Sequence, residues 1–206
     1  MAYYIRNRLG FGTVKNVKDK KAIIYIISSK KELEVVLKLI TGKLKHVNKI
    51  IQVNKILSKD KFKEIKRKLN FVSGNNENLN NYWLSGFADA DASFQIKIVN
   101  RLNRNKPEIR LNFQIDQKNK DILIQIKNYL GGNIGYRASQ DTYYYGSTSF
   151  RSAKNVINYF DKYSLLSSKF LKYLKWRKSY LLIQNREHLT KMGINKIKLL
   201  KSAMSK

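Results

Sequence analysis

Two carboxylates stand at the end of a short apolar run, in "YWLSGFADADASFQIKIV" at 82–99. The acids are Asp89 and Asp91, in a chain with 42 Lys and Arg against 14 Asp and Glu. If the run is a helix, both sit at its C-terminus, where the helix dipole is negative and a carboxylate is unfavourable by a few tenths of a kcal/mol. Alone, two such acids are ordinary surface carboxylates. Their position asks for a compensating charge, and a divalent cation, a hard ion that takes oxygen ligands, is the chemistry that would supply it.

The elements that must position these acids follow from periodicity. Asn80 or Asn81 can cap a helix running to about Ala90. "SFQIKIVNR" (93–101) and "EIRLNFQIDQ" (108–117) alternate and predict a hairpin across the turn "LNRNKP". "NKDILIQIKNYLG" predicts a helix stopped by Gly131 and Gly132. "NIGYRAS…TYYYGSTSF" predicts a second hairpin, and the phase of Tyr143, Tyr144 and Tyr145 within it is open. Two amphipathic helices, "SAKNVINYFDKY" and "SKFLKYLKWRKSYLLI", complete an α-β-β-α-β-β-α-α order.

Part of that order occurs earlier in the chain. Ile5, Asn7, Leu9 and Gly10 recur as Ile126, Asn128, Leu130 and Gly131. "YIISSKKELEVVLKLI" (25–40) parallels "YGSTSFRSAKNVINYF" (145–160), and "HVNKIIQVNKIL" (46–57) parallels "LSSKFLKYLKW" (166–176). The expected organisation is a partial first repeat with a linker helix at 1–70, a polar linker at 71–81, and a complete domain at 82–206. The fold class is α+β: one complete αββαββα copy, plus one copy lacking its leading helix and hairpin.

Composition narrows the partners. A formal charge of +28 favours a polyanion, and nucleic acid is the first such partner because phosphate neutralisation releases counterions. Aromatics at 12% and hydrophobics at 43% allow a real core. No apolar run approaches the ~18–20 residues of a membrane span, so no membrane partner is expected. With no cysteine, disulfide and thiolate-metal sites are excluded. His46 and His188 have no second ligand nearby in sequence and read as structural.

"LSGFADADA" (84–92) resembles the LAGLIDADG motif of homing endonucleases and group I intron maturases. The preceding Tyr-Trp, the following Ser-Phe, the element order and the closing "HLTKMGINKIKLLKSAM" (188–204) strengthen that resemblance. It implies that the motif helix packs against a second such helix through small residues, here Gly86 and Ala90. It implies that Asp91, the eighth motif residue, holds Mg2+ beside a scissile phosphate, whereas Asp89 is a structural acid at the helix end. Gln117 matches the polar residue that orders active-site water. Lys169, with Lys49 as its counterpart in the first copy, matches a basic residue near the phosphate. Ala92 stands where the family usually has glycine. If the helix exit needs positive φ, the metal site would be distorted there.

Alternation places a nucleic-acid surface on the hairpin. Phe94, Ile96, Ile98, Leu111, Phe113 and Ile115 should face helices. Gln95, Lys97 and Arg101, with Arg110, Asn112, Gln114 and Asp116, should face outward, where Arg, Asn, Gln and Lys can read base edges in a major groove. Arg104 and Lys106 in the turn would reach phosphates, and Arg137 and Gln140 extend the face into the second hairpin. The reading is a site-specific, metal-dependent endonuclease making double-strand breaks in DNA. Its rivals are a maturase that binds group I intron RNA without cleavage and a degenerate, inactive fragment. Cleaving both strands needs two motif helices, so a homodimer or a missing N-terminal half is expected. The resemblance implies a mitochondrial or other organellar setting.

Overall fold

The structure, a computed structural model, describes the chain except for Lys21, Asn70, Ser73, residues 75–77, residues 103–105 and Lys206. Two compact units divide it, residues 1–76 and 77–206.

The first unit runs α1 (Ala2–Leu9), β1 (Thr13–Asn16), β2 (Ile23–Ile26), α2 (Lys30–Ile40), α3 (Val47–Leu57) and α4 (Lys63–Leu69). Among the described residues β1 and β2 pair only with each other, antiparallel, with Val14 opposite Tyr25. The unit's core is small: Leu37, Val53, Leu57 and Ile65 are buried, and α1 buries no residue.

The second unit runs α5 (Trp83–Asp91), β3 (Ala92–Val99), β4 (Glu108–Gln117), α6 (Asp121–Leu130), β5 (Asn133–Arg137), β6 (Thr142–Gly146), α7 (Phe150–Lys162), α8 (Lys169–Gln184) and α9 (Lys191–Met204). Its four strands form one antiparallel sheet in the order β3-β4-β6-β5. Strand period sets the faces. Phe94, Ile96, Leu111, Phe113 and Ile115 point to one side and meet Phe160, Tyr173 and Trp176 of α7 and α8. β3 stops at Val99, two residues short of the span that alternation predicts, so Arg101 follows the strand. The tyrosine phase resolves clearly. Tyr145 is fully buried against Phe113, Tyr143 packs on the same core, and Tyr144 lies over the opposite face beside Gly135.

The motif helix begins at Trp83, later than the asparagines suggest, yet Asn81 still serves it: its side-chain oxygen accepts the Trp83 N–H at 2.9 Å. Leu84, Ser85 and Ala88 face inward. Ser85 Oγ donates to the Tyr163 carbonyl at 2.5 Å, and the Ser85 N–H donates to Tyr159 Oη at 3.2 Å, tying α5 to α7. Burial pushes the Tyr159 hydroxyl up to about 12, so it stays a neutral donor to the Asn81 carbonyl. Gly86 and Ala90 lie on the exposed side of α5, and a Cβ built on Gly86 would meet no described residue within 4 Å.

Candidate active site and nucleic-acid interface

The C-terminus of α5 meets the N-terminus of α8, and the two ends exchange charged side chains. Asp89 accepts the backbone N–H groups of Leu166 at 2.8 Å and Ser167 at 3.1 Å, and the Ser167 hydroxyl at 2.5 Å. Lys169, the first residue of α8, returns its ammonium to the carbonyls of Ala88 at 3.1 Å and Ala90 at 2.9 Å. Each charge is poorly placed on its own helix and well placed on the other: an acid belongs at a helix N-terminus and a cation at a C-terminus. Carbonyls at the end of α5, Ala90 foremost, and N–H groups ahead of α8 are satisfied together. Asp89 is therefore occupied by protein donors.

Asp91 is in a different position. It is exposed at the last residue of α5, and Gln117, the last residue of β4, donates its Nε2 to Asp91 Oδ2 at 2.7 Å. Asp91, Gln117 and Lys169 thus converge on one helix end. Burial pushes the Lys169 ammonium below the ordinary lysine range, while the charges of Asp91 and Asp89 oppose that shift. Lys49 lies in the first unit and donates to Gln52 of its own helix at 3.4 Å. At the helix exit Ala92 has φ −89° and ψ 161°. That is ordinary extended backbone, so alanine is unstrained and the concern over a missing glycine does not apply. Among the described residues no three His, Cys, Asp or Glu side chains cluster as a metal cage.

The outward face of the sheet is a connected polar surface. Gln95 lies opposite Asn112, and Lys97 lies opposite Arg110. Directly opposed cations are unfavourable without an anion above them. Lys97 has no carboxylate partner among the described residues, whereas Arg110 has Glu108: its Nε donates to Oε1 at 2.7 Å, and Arg101 Nε donates to Oε2 at 2.7 Å. Arg110 foremost, then Arg101, hold the Glu108 carboxyl down to about 2. Arg137 donates to Gln140 at 2.8 Å, reaches Asp116 at 3.4 Å and stands over the Tyr144 ring at 5.4 Å. Lys106 is exposed, and Arg104 lies outside the described residues.

Asn112 departs from the expected open position. It keeps the outward register but is only 5% exposed, because its amide lies back over Gly146 between Gln95 and Gln114. A side chain at 146 would fill that space, since a Cβ there would stand 3.1 Å from Asn112 Oδ1. Sequence reasoning places Asp116 on this face but missed Glu108. The available signal was its even spacing from Arg110 on the same strand.

Residues 84–180 match the model of the LAGLIDADG endonuclease family. A cox1 intron-2 protein of Schizosaccharomyces pombe is 56% identical over 199 residues, which is 96% of this chain and 61% of that protein. A probable intron-encoded endonuclease of Neurospora crassa is 31% identical over 63% of this chain and 25% of its own length. An intron-encoded DNA endonuclease of Saccharomyces cerevisiae is 33% identical over 51% of this chain and 32% of its own. The chain thus spans less than two thirds of these relatives. I-SmaMI, solved bound to an uncleaved DNA target with calcium ions, superposes over 100% of this chain and 83% of its own, with TM-score 0.75 and 25% identity. No helix among the described residues is long and apolar enough to cross a membrane.

Proposed function

We propose, from the premise that the chain belongs to the LAGLIDADG endonuclease family, that it binds double-stranded DNA at a specific site and takes part in metal-dependent cleavage. The observation that carries this reading is the helix end where Asp91, Gln117 and Lys169 meet. A carboxylate, an amide and an ammonium at one exposed point are the groups a phosphodiester hydrolysis uses. Gln117 fixes the rotamer of Asp91 by holding one carboxylate oxygen. An ammonium has three N–H donors, and Lys169 spends two on carbonyls. The third is available to a non-bridging phosphate oxygen, where it would stabilise charge that develops during cleavage.

Magnesium suits this donor set. It binds commonly through one or two carboxylates together with substrate phosphates, so Asp91 would hold it only with DNA in place. Such an ion supplies charge to the phosphate and a more acidic bound water. Base reading falls to the outward face of β3 and β4, with Arg110, Lys97 and Gln95 foremost, and Lys106 reaches the backbone. A second motif helix, from a second copy or from a longer protein, would pack on Gly86 and Ala90 and deliver the other acid. Relatives carry names from cox1 and ND4 introns, which supports a mitochondrial setting for this chain. Splicing of group I intron RNA rests on net charge, which serves duplex DNA equally well.

The test is Asp91→Asn on duplexes selected by the chain, in magnesium, read by nicking and by gel shift. Cleavage should vanish while affinity stays within a few-fold, since affinity comes mainly from basic contacts. Full cleavage by the variant would overturn the assignment.

A further inference from the structure

Five side chains on the outward face form a chain of hydrogen bonds with one direction. Gln114 Nε2 donates to both carboxylate oxygens of Asp116, at 3.1 and 3.0 Å. Gln114 Oε1 accepts from Asn112 Nδ2 at 3.1 Å. The same Asn112 Nδ2 donates to Gln95 Oε1 at 3.3 Å. Gln95 Nε2 stands at the far end, where it donates to the exposed Ser93 hydroxyl at 3.0 Å and, more weakly, to Gln114 Oε1 at 3.5 Å.

An amide can present either end, and nothing within Gln95, Asn112 or Gln114 decides which. Asp116 decides it, because an ionised carboxylate only accepts. Gln114 must turn its NH2 to Asp116 and its oxygen to Asn112. Asn112 must then donate, and Gln95 must accept from it. The two ends of the relay therefore differ: Asp116 is its sink, and the Gln95 NH2 is its outermost donor, held only by the exposed Ser93 hydroxyl and a long bond to Gln114. The buried Asn112 Oδ1, without a partner among the described residues, fits this order, since the asparagine gives up that acceptor's bond to keep its NH2 on the two glutamines. Arg137 stands beside Asp116 at 3.4 Å.

We infer that Asp116 is a positioning residue for base recognition: through Gln114 and Asn112 it fixes Gln95 as a hydrogen-bond donor to the major groove. This rests on the site-specific DNA reading above. A donor selects the acceptors purine N7, guanine O6 and thymine O4; the reversed amide would select the donors cytosine N4 and adenine N6. One carboxylate that touches no base thus sets which edges the face accepts.

The experiment selects binding sites from a randomised duplex library with the full 206-residue chain and with two variants. Asp116→Asn keeps the shape but lets the relay reverse, and Gln114→Met cuts it in the middle without changing charge. Both should lower acceptor-over-donor discrimination by about 10-fold at the base pair under Gln95. Preference at the position read by Arg110 should be kept. Asp116→Asn should also bind the unselected pool more tightly, because a negative charge leaves the face. A misfolded variant would instead degrade every position and lose affinity. Unchanged preference in Asp116→Asn, or loss spread evenly over the site, overturns the inference while leaving the DNA reading intact. A wild-type chain that selects no sequence overturns both.

Discussion

The helices α1 and α6 end alike, in Ile-x-Asn-x-Leu-Gly, and both lead into a hairpin and then two helices. A glycine of the loop after each helix packs on a tyrosine of the second strand, Gly12 on Tyr25 and Gly132 on Tyr145. Their burial differs sharply. Ile126 is completely buried, as are Ile122, Leu123 and Leu130, whereas Ile5 is 37% exposed and α1 buries nothing. Tyr145 is enclosed by a four-stranded sheet, while among the described residues β1 and β2 pair with no other strand. Lys169 closes a helix end, and Lys49 contacts a glutamine on its own helix. In the second unit the added elements are α5, β3 and β4, which bring Phe94, Phe113 and the end of the motif helix. Local sequence is thus enough to form helix, hairpin and helix. Core and site come from the leading helix and hairpin packed against them.

The largest effect should separate the two isoleucines. Ile126→Ala should cost about 2–5 kcal/mol, the usual range for emptying a fully packed site. Ile5→Ala should cost under about 1 kcal/mol, as at other exposed positions. Urea unfolding followed with probes in each unit measures both, since two units need not unfold as one. Equal losses would break the comparison and show that α1 is covered in solution.

The lysines give the next effect. Lys169→Met should slow cleavage by about 10²–10³-fold, as when a preorganised donor is removed from developing charge. Its pH behaviour sharpens the point. Burial holds the folded ammonium below the ordinary lysine value of 10.5. Wild-type cleavage should therefore decline with rising pH earlier than an ordinary lysine would dictate. Stability should move the other way. Between the lowered pKa and 10.5 the unfolded chain binds more protons, so the buried charge opposes folding below this window and the opposition is relieved as pH rises through it. Lys169→Met should lose both the alkaline limb of the rate and this gain in stability. A rate profile that keeps the same limb in the variant would assign the titration elsewhere.

Much of this was legible because it is local. Alternation in "EIRLNFQIDQ" marks β4, Glu108–Gln117, from its first residue to its last. Three successive tyrosines hide their phase because they share one chemistry; only the register of Tyr145 opposite Ile115 resolves it. The resemblance singled out Asp91, Gln117 and Lys169, but the exchange between α5 and α8 depends on residues about 80 apart in sequence, such as Asp89 with Leu166 and Ser167. The amide relay was hidden for another reason. Alternation shows which side chains share a face, but not that Gly146 leaves room for Asn112 to lie down and join Gln95 to Gln114.

The smallest effect lies at the two glycines, where the comparison can be made free of core packing. Both stop a helix with positive φ, Gly10 at 78° and Gly131 at 75°, and a Cβ on either would meet no close atom. Their ψ values differ: Gly10 at 4° is left-handed helical, whereas Gly131 at −164° lies in a region essentially reserved for glycine. Alanine should cost about 1–2 kcal/mol at Gly10 and about 1–3 kcal/mol at Gly131. Asparagine separates them better, because it visits the left-handed helical region readily and the other region hardly at all. Gly10→Asn should keep near wild-type stability, while Gly131→Asn should lose as much as Gly131→Ala. Denaturant midpoints of the four variants test this. If asparagine is tolerated equally at both sites, the difference in helix exits is not enforced by the fold, and the two copies end α1 and α6 in the same way.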